Sequence, residues 1–174
     1  MMISALLGAG ILAAASGPLW PIEIHSLGKV IRGESARLTR PNGAVVKEFV
    51  DGRKILRADV NGDRHDDLVV LFTLDRGDLW VQYLTVLSGT GAPLATTEVS
   101  RKGFRSVDLD RAQGPVIQLT TKSYRPEDAK CCPSLPGRAS YLFRGRRLSE
   151  IKPSSAIASR ESPPLVRRAR TRHH

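Results

Sequence analysis

At 174 residues, with 41% hydrophobic and 25% charged side chains, the chain has the length of one domain and the composition of a globular core, which excludes collagen-like and wholly disordered classes. Two cysteines exclude a disulfide-dense scaffold. The net charge of +10 raises the question of a nucleic-acid partner, but half of it lies from Lys152 onward, where six cations stand against Glu161 alone, and the remaining charges are interspersed with acids.

In chain order, residues 1–17 come first. Met1 to Ala15 carries no charged side chain and leads into Ala13-Ala14-Ala15-Ser16-Gly17, a run of small residues that a signal peptidase accepts. The stretch is shorter than the roughly 20 residues a spanning helix needs, and no Cys follows it for acylation. The expectation is a signal peptide over 1–17, a secreted or periplasmic protein and no transmembrane segment in the mature chain.

Residues 18–151 read as a mainly β domain: short strands separated by turn residues, with no sustained helical period and no internal repeat. The first expected strands are Ala36–Thr39 and Ala44–Phe49, joined by Asn42-Gly43. Asp51-Gly52 then reads as a turn into Lys54–Ala58. Leu68–Leu74 is almost wholly apolar and predicts a strand covered on both faces, followed across Asp75–Asp78 by Leu79–Leu87. Further strands are expected at Leu94–Val99, Phe104–Leu109, Val116–Thr121 and Ser140–Phe143. The fold class is therefore a small antiparallel β-sheet domain built of hairpins. Residues 152–174, basic and rich in proline, read as a disordered tail, with anionic envelope polymers or lipids as its possible contact.

Between two of these strands lies Asp59-Val60-Asn61-Gly62-Asp63-Arg64-His65-Asp66-Asp67. Asp59, Asn61, Asp63 and Asp67 place side-chain oxygens at positions one, three, five and nine. The His65 carbonyl adds a main-chain ligand, which is how a short loop surrounds a hard cation such as Ca²⁺. The spacing is not that of an EF-hand, because position six is Arg64 and position twelve is Val70. The plain alternative is a hairpin turn at Asn61-Gly62 with solvated aspartates. Carboxylates crowded in one turn repel each other and favour a counter-ion, and a weak site of this kind serves structure rather than catalysis.

Cys131 and Cys132 are adjacent. Disulfides ordinarily join Cα atoms about 4.4 to 6.8 Å apart, whereas a trans peptide fixes neighbours near 3.8 Å. A bond between them would be strained and more easily reduced, the mark of redox or switch disulfides. Buried thiols beside Pro133 are the alternative, and a mixed disulfide with a partner is a third arrangement; an oxidising compartment favours the oxidised forms.

Two resemblances rest on these residues. The Asp-x-Asn-Gly-Asp-x-x-x-Asp stretch at 59–67 resembles the calcium turns of FG-GAP and related β-propeller repeats. Over about residues 55–149, the Asp-rich turn, the strand Gly77–Val86 and Asp128-Ala129-Lys130-Cys131-Cys132-Pro133-Ser134 resemble a family of small exported bacterial proteins with an Asp-x-x-Cys-Cys-Pro-Ser/Thr signature. Arg64 and His65 depart from that pattern, which favours Gly and a neutral residue. The resemblance implies export and a β architecture, and it carries no activity.

No Gly-x-Ser-x-Gly, His-Glu-x-x-His or Walker sequence is present, and the four histidines lie far apart or at the chain end. The sequence thus points away from an enzyme and from a nucleic-acid partner. It points toward a binding module of the envelope or extracellular space with a structural Ca²⁺ loop, and toward a thiol-disulfide protein using Cys131 and Cys132 as the alternative.

Overall fold

The computed structural model describes residues 19, 21–38, 47–77, 79–129 and 131–152, with the backbone alone over 47–54. The expected signal peptide, the Asn42-Gly43 turn and the tail beyond Lys152 lie outside the described residues.

The described chain opens with helix α1, Pro21–Leu38, in place of the strand expected at Ala36–Thr39. Pro21 supplies a preset φ where no amide donor is needed, and Glu23 in the first turn and Arg37 in the last suit the helix dipole. Its buried face is Glu23, Leu27 and Ile31, one residue every four. The first member of that stripe is charged, so the apolar period is cut to two residues and escapes notice in the sequence.

Eight strands follow: β1 Lys47–Ala58, β2 Asp67–Asp75, β3 Trp80–Leu87, β4 Pro93–Arg101, β5 Arg105–Gln113, β6 Val116–Ser123, β7 Leu135–Arg144 and β8 Arg147–Glu150. They form one antiparallel sheet in sequential order, as expected of a mainly β domain of hairpins. Asp51-Gly52 is not a turn: β1 runs through it, and residues 51–54 are absorbed as an irregularity between the pairs Val50↔Phe72 and Ile55↔Val70. β8 was not legible in the sequence. It is four residues long and follows a two-residue turn in which Gly145 and Arg146 both have positive φ, 53° and 63°, the geometry that suits a tight hairpin.

The sheet bends sharply between β4 and β5, which share a single pair, Arg101↔Arg105. Side chains from both halves meet in one core containing Val69, Leu71, Leu84 and Val86 from the first half and Ile117, Leu119, Tyr141 and Phe143 from the second. The opposite face of β2 and β3 carries Leu68, Val70, Phe72, Leu74 and Tyr83, which pack with Leu27 and Ile31 of α1. The near-continuous apolar run of β2 is thus explained, since it is buried on both faces. Phe72 and Tyr83, opposite each other in register, stack with ring centroids 5.3 Å apart.

Two polar devices hold the bend. Where β5 leaves β4, buried Gln82 takes over the missing strand's role: Val107 N donates to Gln82 Oε1 at 2.9 Å, and Gln82 Nε2 donates to Val107 O at 3.1 Å. Arg105, also buried, donates through Nη1 and Nη2 to the Glu150 carboxylate, both at 2.9 Å, and through Nε to Val99 O at 3.1 Å. Tyr141 completes this cluster; burial, with the nearby Glu150 charge, pushes its hydroxyl pKa up to about 12.

Candidate functional site

The acidic loop leaves β1 at Ala58 and enters β2 at Asp67, and its side chains fold it around its own amides. Asp59 accepts from Gly62 N at 2.7 Å and from Arg64 N at 2.9 Å. Asn61 Oδ1 accepts from Asp63 N, and Asp63 Oδ1 accepts from His65 N, both at 2.8 Å. Gly62 and Arg64 take φ of 82° and 70°, which lets successive amides turn toward these acceptors. Asp67 is wholly buried and receives Val60 N and Asn61 N, each at 3.0 Å, on a single oxygen.

The loop's electrostatics are uneven. Asp67 is held above the usual carboxylate range first by burial, with the amides of Val60 and Asn61 opposing and the charges of Asp63 and Asp59 adding to the rise. Exposed Asp63 is held below that range, first by its bond from Asn61 and then by the His65 amide. Asn61 Nδ2 stands between the two, donating to Asp63 Oδ2 at 2.8 Å and to Asp67 Oδ1 at 3.2 Å.

The donor chemistry fits a hard cation: Asp59, Asn61, Asp63 and Asp67 offer only oxygens, and a carboxylate oxygen bonded to one amide keeps a further lone pair. The geometry also sets a cost, because a cation drawing on both Asp63 and Asp67 competes with Asn61 Nδ2. Among the described residues no three His, Cys, Asp or Glu side chains are gathered as a metal cluster, so Asn61 and the His65 carbonyl would have to complete the shell. The His65 ring is largely exposed, 3.2 Å from Asp63 O through Nδ1.

This loop forms one wall of a cleft of about 690 Å³. Asp63 to Asp66 line one side, Ile22 and Glu23 of α1 a second, and Ser88 to Thr90 of the β3–β4 turn a third. Between them Arg57 donates to both Glu23 oxygens, at 2.7 and 2.8 Å, in a bidentate pair with Glu23 only 2% exposed. The turn fits closely against both the loop and α1: a Cβ on Gly89 would stand 3.0 Å from Asp66 O, and one on Gly91, at φ 82°, 3.3 Å from Ile22 Cγ1 of the helix.

No family model, curated protein or solved structure matches this chain. Function therefore rests on the site itself. The loop was marked by its own ligand spacing, whereas Glu23, Arg57 and the Ser88–Thr90 turn were not. Their only sequence signal was a charge at an inward position of an amphipathic element, legible once the helix and strand are placed together.

The expected redox pair lies elsewhere. Cys131 and Cys132 are joined in a disulfide with Cα atoms 3.8 Å apart, both exposed, in the connection between β6 and β7. Asp128 organises that connection by accepting from Arg125 N, Ser134 N and Ser134 Oγ, each at 2.8 Å. These bonds hold the Asp128 carboxyl below its usual range, the Arg125 amide foremost.

Proposed function

We propose that the chain is an exported β binding module. Its ligand from the envelope or extracellular space occupies the cleft between α1, the acidic loop and the β3–β4 turn, and a structural Ca²⁺ sits in the loop on Asp59, Asn61, Asp63, Asp67 and the His65 carbonyl. The observation that carries this reading is that the acidic loop is itself a wall of the cleft, so an ion that stiffens the loop also fixes the cleft's shape. The fold supports it: α1 covers the outer face of the first half of the sheet and brings Ile22 and Glu23 to the cleft. The two hydroxyls there, Ser88 and Thr90, bond each other at 2.9 Å, and Ser88 Oγ accepts from Ala92 N at 3.0 Å, so they hold the shape of the turn that forms this wall. No described helix is long and apolar enough to cross a membrane. Calcium titration by calorimetry tests the reading: the expected result is saturable uptake, with affinity on the order of 10⁻⁴ to 10⁻³ M, lost in Asp63→Ala.

A second reading, thiol-disulfide exchange, is favoured by the exposed Cys131–Cys132 bond. In that reaction a dithiol partner transfers two electrons: its two thiols become a disulfide while Cys131 and Cys132 become thiols. Disulfide exchange with a small dithiol that disappears in Cys132→Ser would support it. Two unmodified thiols in protein recovered from the envelope would refute it.

A further inference from the structure

Among the described residues nothing covers the outer face of the second half of the sheet, since α1 lies on the first half. Along β7 the inward residues Ala139, Tyr141 and Phe143 are buried, while Arg138, Ser140, Leu142 and Arg144 alternate outward. Neighbouring strands add to that face in register: Thr120 lies opposite Arg138, Gln118 opposite Ser140, and Arg147 opposite Arg144.

The last of these pairs sets two arginines at directly opposed ladder positions, an arrangement of like charges that costs folding free energy. Among the described residues neither the Arg144 nor the Arg147 guanidinium meets a carboxylate or another hydrogen-bond acceptor. Arg138 is 72% exposed and reaches Asp110 only at 3.7 Å. Arg144 is six positions beyond Arg138, about 20 Å along an extended strand. Cations therefore stand at the two ends of the face, with Ser140 and Gln118 in a row between them. Gln118 accepts through Oε1 from Arg111 Nε at 2.9 Å and offers its amide Nε2, and Asp108, opposite Thr120, is the acidic residue beside the Arg138 end. A like-charge pair without a folding benefit points to an anionic partner.

We propose that this face binds a linear acidic polysaccharide, its carboxylate or sulfate groups meeting Arg138 and the Arg144–Arg147 pair and its hydroxyls meeting Gln118 and Ser140. Arg suits planar or tetrahedral anions because it offers paired donors. Single-stranded nucleic acid fits less well, because base stacking needs aromatic side chains and Tyr141 and Phe143 point inward. An anionic membrane also fits less well: the face presents half-buried Leu142 between arginines and no aromatic anchor. This inference is independent of the cleft and of the acidic loop.

The test uses the full chain, with heparin as probe, at several salt concentrations. Arg138→Gln, Arg144→Gln and Arg147→Gln are combined and compared with a charge-matched set on α1, Lys29→Gln, Arg32→Gln and Arg37→Gln. The expected result is at least about a tenfold loss of affinity and a shallower salt dependence for the β7–β8 set, with little change for the α1 set. The Arg144→Gln, Arg147→Gln pair alone is expected to fold and to bind more weakly, since it relieves the opposed charges. Equal losses in both sets would overturn the proposal, as would unchanged binding in the β7–β8 set with loss on changing Arg167, Arg168, Arg170 and Arg172 to Gln. Duplex DNA or phosphatidylserine vesicles binding more tightly than heparin, through the same arginines, would overturn it in favour of those partners.

Discussion

Replacing Asp67 by Ala tests whether the acidic loop is scaffolded from within. The carboxylate is wholly buried and receives the amides of Val60 and Asn61 at 3.0 Å. Val60 is itself 2% exposed, so its amide has no route to water once the carboxylate is gone. An orphaned buried donor costs about 1–3 kcal/mol. The Asn61 amide, nearer the surface, costs less, and removal of a desolvated carboxylate returns part of the loss. The net expectation is a destabilisation of about 2–3 kcal/mol. With a urea slope of about 2 kcal/mol/M, the unfolding midpoint should fall by roughly 1 M. Asp67→Asn keeps an acceptor for both amides and sets its new amide against Asn61 Nδ2, so its loss should be near 1 kcal/mol. Urea unfolding followed by tryptophan fluorescence, in chelator, measures both. A loss for Asp67→Ala below about 0.5 kcal/mol, or one seen only with calcium present, would refute the reasoning.

Three further outcomes follow from the same geometry. Gln82→Ala strips the Val107 amide and carbonyl of their partners at the bend and should destabilise by about 2–4 kcal/mol in urea unfolding. Gln82→Glu, which sets a buried carboxylate against the Val107 carbonyl, should lose at least as much at neutral pH and regain stability in acid, where the protonated carboxyl again offers a donor. Glu150 is held below its ordinary pKa of 4.5, chiefly by Arg105. Its folded value lies under its unfolded one, so its stabilisation is complete above pH 4.5 and is lost as pH falls through the folded value. Stability measured against pH should therefore fall less steeply below 4.5 in Glu150→Gln. Finally, Cys132→Ser should leave stability nearly unchanged, because Asp128 holds the connection through bonds that do not involve the thiols. Thermal melting of oxidised, reduced and mutant protein compares them; a large drop in the mutant would show that the disulfide, not Asp128, organises the segment.

The legible parts of this chain were those in which local pattern and tertiary role coincide. Leu68–Leu74 reads as a doubly covered strand because both of its faces are apolar, and that is how β2 lies. The acidic loop announced itself through alternating oxygen-bearing residues around Gly62. The helix was hidden because its buried stripe begins with Glu23, which is neutralised by Arg57, 34 residues away; no local pattern encodes that pairing. Asp51-Gly52 has turn chemistry, yet the long pairing with β2 absorbs it as an irregularity. β8 is short and partly charged, and it exists because Leu148 reaches the core and Glu150 meets Arg105. The cleft belongs to the same class, since its walls come from three segments that only the fold brings together.

The most direct test of the binding-module account is the melting temperature of the protein in about 10 mM calcium and again in chelator. With a dissociation constant near 1 mM, the linkage gain is about 1.4 kcal/mol, or a rise of roughly 3–6 °C for a domain of this size. The account predicts that rise, and its loss in Asp63→Ala. Identical melting in calcium and chelator would contradict the calcium loop and leave the acidic segment as a turn held by its own amides.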